Sequence, residues 1–323
     1  MAKGFFTQGV VILLERPVSL DEIAAALSDF EIVGRRDEVE DWAMAGPTLY
    51  LNYRPEVNGL VTVDIVDRSW PDDMGSPVDS PLVFGAWSMG YFAPFAYPGN
   101  LARAGQQAFH WPEAAATAAR HRSFIRIRSS YILGADPDTQ VIPNDYDVLR
   151  EATFVLDVAH AVMGVRGALC YFNPAGEVLM PHKDLSEHLW HNAAQNLPPL
   201  DILSNIRVYD IDAQWKMMDT VGLWQLDIPD HEACFTSEID GDELANFLRN
   251  VAVYRMQKGD VLRDDNTVDG PGGMKWRVRS FEQPLTDPNR PTLRWVPENG
   301  RALPVVVGFS GRAVEEKKKR WPF

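Results

Sequence analysis

Apolar positions along the chain recur at every second residue in some stretches and at every third or fourth in others, a switch that separates strands from helices. Gly9 to Leu14 reads as a strand. Ser19 and Glu22 then make a capping box for a short helix carrying Ile23 and Leu27. Phe30 to Gly34, Thr48 to Tyr53 and Leu60 to Val66 read as three further strands, with Asn58-Gly59 turning the chain into the last. This opening predicts an α+β fold in which mixed or antiparallel sheets are covered by helices, with ferredoxin-like βαββ elements.

Beyond a loop rich in Asp, Ser and Pro from Asp67 to Pro81, Asn100 is placed to cap one helix, and Pro112 stands in the first turn of another that runs to about Arg120. The stretch Phe124 to Tyr131 reads as a strand whose Arg126 and Arg128 share one charged face. Asp147 caps a helix that buries Ala152, Leu156 and Ala159 and stops at Gly164. Ala168 to Phe172 reads as a strand closed by the turn Asn173 to Gly176. In the second half the strands are expected at Ile206 to Ile211, Trp215 to Leu226, Ala233 to Thr236, around Trp276 and Val278, and at Leu303 to Val307. Asp240 and Glu243 precede a helix ending at Gly259. The Leu- and Pro-containing stretch from Asn196 to Leu203 is the expected connection between two units: a larger α/β domain over 1–200 and a smaller one over 201–323 packed against it, with a basic tail at Lys317 to Arg320.

Composition narrows the partners. With 323 residues, 46% of them hydrophobic, the chain can fill one large or two medium cores. A formal charge of -14 and a pI near 4.9 disfavour a general polyanion-binding surface, so nucleic acid is not an expected partner. No apolar stretch approaches the roughly 18 residues that span a bilayer, and Met1 to Leu14 is too short and too lightly charged for a signal peptide. No membrane association is expected. Cys170 and Cys234 lie in strand-like segments and read as reduced core thiols, which points to the cytoplasm.

The run Asp219-Thr220-Val221-Gly222-Leu223, followed by Leu226, Pro229, Asp230 and Glu232, is the most distinctive part of the chain. With Cys170 to Pro174, Gly176-Glu177 and the helix end from Val253-Tyr254 to Gly259, it makes the chain resemble the bacterial domain-of-unknown-function family numbered 4261. The resemblance is expected to cover most of the chain and to be strongest from Ile206 to Gly273. It implies α/β organisation and a bacterial origin, supplies no catalytic residue, and associates the chain with toxin-immunity or secretion neighbourhoods.

Three groups of residues could carry function. On a helix beginning at Asp184, the residues Asp184, His188 and His191 fall on one arc, with His182 just upstream. Two imidazoles and a carboxylate suit a divalent metal, although Asp184 and Glu187 also suit a plain capping box on a solvated helix, and His-Glu-x-x-His is absent. The aromatic series that includes Tyr91 and Trp111 suits either a recognition surface or core filling. Arg126 and Arg128 suit an acidic partner or small anion, or else a solvated face. Gly270, Gly272 and Gly273 lack both phosphate-loop patterns, and no cofactor is expected. These features lead to a non-enzymatic protein-interaction module with a protein partner as the expected function. Metal-dependent hydrolysis at His182 to His191 is the alternative.

Overall fold

The computed structural model describes residues 3–38 and 41–308. The chain runs β1 (Gln8–Leu14), α1 (Leu20–Ala26), β2 (Ile32–Arg36), β3 (Thr48–Arg54), β4 (Gly59–Val66), α2 (Pro81–Ser88), α3 (Asn100–Gln106), α4 (Ala114–Ala118) and β5 (Ser123–Ser130). It continues through α5 (Val148–Val162), β6 (Ala168–Asn173), β7 (Val178–Met180), α6 (His182–Gln195), α7 (Leu200–Leu203), β8 (Asn205–Asp210) and β9 (Trp215–Val221). The last elements are β10 (Asp230–Thr236), α8 (Gly241–Lys258), β11 (Thr267–Gly270), β12 (Met274–Phe281) and β13 (Thr292–Pro297). Among the described residues no helix is long and apolar enough to cross a membrane.

Two sheets result. The first has the order β2-β3-β4-β5-β1-β6-β7, and the second the order β11-β12-β13-β10-β9-β8. Every pairing is antiparallel except β10 with β13. The chain is thus α+β, with helices over mixed and antiparallel sheets. The opening β1-α1-β2-β3-β4 run does not close on itself, because β1 pairs with β5 and β6 while β2 to β4 form a ladder beyond β5.

Local chemistry explains the boundaries. Ser19 and Glu22 cap α1 reciprocally, and the Asp147 carboxylate accepts from the amides of Leu149 and Arg150 at the start of α5. α5 buries Val155, Leu156 and Ala159 against β1 and β5. The same core cluster takes in Leu200, Ile202 and Leu203 of α7 and Ala252 of α8, so the stretch expected as a connection ends in a short buried helix. Two glycines permit this contact. A Cβ on Gly176 would lie 2.0 Å from the Leu203 carbonyl oxygen, and Gly222, at φ 113°, would set a Cβ 2.5 Å from the Gly176 Cα.

Several expectations are corrected. The strand expected to reach Leu226 stops at Val221, where Gly222 turns the chain into a 3-10 turn. Leu303 to Val307 forms no strand; it ends in a 3-10 turn whose Val307 carbonyl accepts from Arg294 Nη1 at 2.8 Å. Asn100 does not cap α3 but is buried, accepting from Trp70 Nε1 and donating to the Pro174 carbonyl. The tail at Lys317 to Arg320 lies outside the described residues.

The largest correction concerns β5, which is buried on both faces. Arg126 and Arg128 are only 0% and 2% exposed and share the carboxylate of Asp64, at 2.6 and 2.7 Å. Further donors go to the carbonyls of Ala43 and Tyr91, Arg128 Nε is buried without a hydrogen-bond partner, and the Gly46 amide also donates to Asp64. No donor pair is left facing solvent for an anion. Burial alone would raise the pKa of Asp64, but the two guanidinium groups outweigh it and hold the carboxyl below its ordinary range.

Asp64→Ala would leave two buried cations without their carboxylate, and it is expected to cost about 3–5 kcal/mol in chemical denaturation. Because the folded pKa lies below the unfolded one, this contribution is complete above the unfolded value and disappears as pH falls through the folded value. Asp64→Asn is therefore expected to lower stability at neutral pH and to flatten its loss below about pH 4, measured as unfolding midpoints across an acid titration.

Candidate functional site

A cleft of about 910 Å³ opens where the two sheets meet. Its walls are the edge strands β7 and β8, the loop after α3, the first turns of α6, and the N-terminal half of α8. The edges are joined at one end, where the Asn205 amide donates to the Gly176 carbonyl at 3.1 Å and Asn205 Nδ2 to the Glu177 carbonyl at 2.9 Å. Past that junction no ladder pairs β7 with β8, and the cleft lies between them.

Behind the junction stands a buried ionic network. Arg207, fully buried on β8, grips Asp219 of β9 through Nε at 3.0 Å and Nη2 at 2.6 Å, and reaches Glu177 through Nη1 at 2.9 Å. Arg290 adds a second guanidinium to Asp219 at 2.5 Å and approaches Asp230 at 3.3 Å. Burial opposes the charge on Asp219, but Arg207 and Arg290 prevail and its pKa is lowered. These groups are committed to one another.

The cleft itself is mixed in character. Phe109, 60% exposed, and the half-buried Trp111 supply aromatic surface, and Ile206, Val208 and Met218 supply aliphatic surface. His188 Nδ1 stands 3.5 Å from Asp201 Oδ2, and Arg249 of α8 meets the other oxygen of the same carboxylate. Asp184 and Asp242 also line the cleft and form no ion pair among the described residues.

The sequence-derived candidates fall in different places. Trp111, Asp184 and His188 come together in the cleft. Tyr91 does not join them: its ring stacks on Phe5 with centroids 5.5 Å apart, and its carbonyl serves Arg128. His191 is exposed and is not among the cleft residues, while His182 turns to His160, with ring centroids 5.3 Å apart. Burial, then the neighbouring His160, lowers the pKa of His182. α6 begins at His182 after Pro181 with no side-chain cap, so the expected Asp184 to Glu187 capping box is not formed. Among the described residues no three His, Cys, Asp or Glu side chains could hold a metal ion together.

Elsewhere, titratable groups are tied up by packing. His231 is buried, accepts from Trp295 Nε1 at 3.1 Å, and is pushed down to about 3 by burial. The neighbouring Glu232 pairs with Arg294 at 2.8 Å. Cys170 and Cys234 are buried and unbridged, and burial pushes both thiols up to about 12. Sequence reasoning passed over Asp201, Arg249 and the edge strand β7, whereas β8 was expected as a strand at Ile206 to Ile211. Arg249 carried no local signal that separates it from a solvated helix charge, and β7 is only three residues long.

The profile of one protein family matches part of the chain, residues 219–296. That family is DUF4261, a domain of unknown function. The match covers the end of β9, then β10, α8, β11, β12 and nearly all of β13, which corrects the expectation of a resemblance over most of the chain. The Cys170 to Glu177 segment that helped to suggest it lies outside the match, on the first sheet and its closing turn. No curated protein and no solved structure matches the chain. The cleft straddles the boundary of the matched segment: Asp242 and Arg249 lie inside it, and Trp111, Asp184, His188 and β8 outside.

His188→Ala and His191→Ala are each expected to change unfolding free energy by no more than about 0.5 kcal/mol, since both side chains reach solvent. Leu185→Ala, one helical turn before Leu189 and fully buried, should cost about 2–5 kcal/mol through lost contacts and a cavity. Equilibrium denaturation of the three variants side by side checks the contrast.

Proposed function

We propose that the protein is a non-enzymatic protein-interaction module whose cleft receives a segment of a partner protein bearing basic and apolar side chains. The observation that carries this reading is the juxtaposition, in a single cleft, of aromatic surface exposed at Phe109 and half-buried at Trp111 with the carboxylates of Asp184 and Asp242, which form no ion pair among the described residues. Aromatic faces bury much area at small conformational cost and attract cations, and carboxylates at the rim select positive charge. Arg249 and His188 do not cancel this preference, because both are engaged with Asp201.

Titration of the purified protein against short synthetic peptides, with basic and aromatic residues varied independently, tests the reading. Peptides combining both residue types are expected to bind, and Trp111→Ala and Asp184→Asn should each weaken binding about tenfold while circular dichroism shows both variants folded. Equal binding of acidic peptides, or unchanged affinity in both folded variants, would show that the cleft is not the recognition surface.

A further inference from the structure

We infer that the partner segment binds as an added β-strand on the free edge of β8, a geometry that rests on the cleft being the binding site. The register of the second sheet defines that edge. At the hairpin end the Ile211 amide donates to the Trp215 carbonyl, and the pairs Tyr209 with Met217 and Arg207 with Asp219 continue the same phase. Antiparallel pairing alternates, so the backbone groups of Ile206 and Val208 point away from β9. They point into the cleft, which both residues line.

One of these outward groups already has a substitute partner. The Val208 amide donates to Oε1 of Gln107 at 3.2 Å, a side-chain carbonyl in the place where a neighbouring strand would present a backbone carbonyl. Gln107 is the C-cap residue just after α3, and its flexible side chain can withdraw without disturbing a ladder. An unprotected edge invites promiscuous pairing, and a removable side-chain plug is one way to hold it in reserve. Strand addition supplies affinity through the main chain and selectivity through alternate side chains.

Charge selects the occupant. A strand lying along β8 would pass the carboxylates of Asp184 on α6 and Asp242 on α8 and the aromatic surface of Trp111. The fitting segment is therefore extended, with basic residues alternating with apolar ones.

The probe is a short synthetic peptide of alternating lysine and valine, with two further versions N-methylated at every second backbone nitrogen, one in each phase. Strand addition predicts that methylation in one phase weakens binding about tenfold or more while the other phase changes it little. Gln107→Ala should tighten binding of the unmethylated peptide several-fold by removing the competitor. In that variant the Val208 amide should exchange with solvent faster than in the parent protein and become protected again when peptide is added. Equal binding of both methylated peptides would overturn strand addition while leaving recognition by side chains in the cleft intact. Failure of the unmethylated peptide to bind either protein would also overturn it, and the varied peptide series described above then judges the cleft independently.

Discussion

Arg207 sets the relation between the two sheets. It lies on β8, at the edge of the second sheet, yet its guanidinium divides between Asp219 of its own sheet and Glu177 in the turn that leads into β7 of the other. Arg103 of α3 binds the other oxygen of Glu177 at 2.7 Å. A buried cation held by two carboxylates tolerates little displacement, because any lost bond leaves an uncompensated charge at low dielectric. The same point is fixed by close backbone approach at Gly176 and Gly222 and by the core cluster that both halves share. The gap beyond the junction inherits this rigidity. The cleft is thus a consequence of where two sheet edges are fastened and where they are not.

Each sheet holds one such motif, near the middle of the first sheet and at the β8 edge of the second. Asp64 accepts from Arg126 and Arg128 between β4 and β5, and Asp219 accepts from Arg207 and Arg290 between β8 and the segment before β13. Removing a partner from such a group costs more than the group's formation contributed, so these sites specify register more than they add net stability. A one-residue slip of β5 would carry both arginines to the opposite face, away from Asp64. The buried charges therefore resist the alternative pairings that two long antiparallel ladders would otherwise permit.

This explains which parts of the fold were legible in the sequence. Elements whose signal is local were readable: the Ser19 to Glu22 box, the Asp147 cap and the periodicity of α5, the Asn58-Gly59 turn and the strands around it. Two strands crossing an ionic centre were misread, because a charge at a buried position imitates the polar half of an alternating pattern. Arg126 and Arg128 made β5 look half solvated. Arg294, paired with Glu232 in the parallel contact of β10 and β13, concealed a strand whose six residues are all buried. The cleft was legible only in fragments. Trp111, Asp184 and His188 were visible as residue types, but they meet through β7 and β8, and the partners Asp201 and Arg249 sit at separations that periodicity does not reach.

The buried ionisable groups at the ionic centres are committed to structural partners. Buried ionisable groups that could be activated by their surroundings are bound to fixed partners: Asp219 by two arginines, Glu232 by Arg294, and Glu151 by Thr7 and Tyr146 at 2.6 Å each. His231 faces the Trp295 indole, not a nucleophile. The cleft offers backbone polarity along β8, aromatic surface and two carboxylates that form no ion pair among the described residues. Those are the elements from which extended segments are recognised, and they occur where the Arg207 junction leaves the two edges apart.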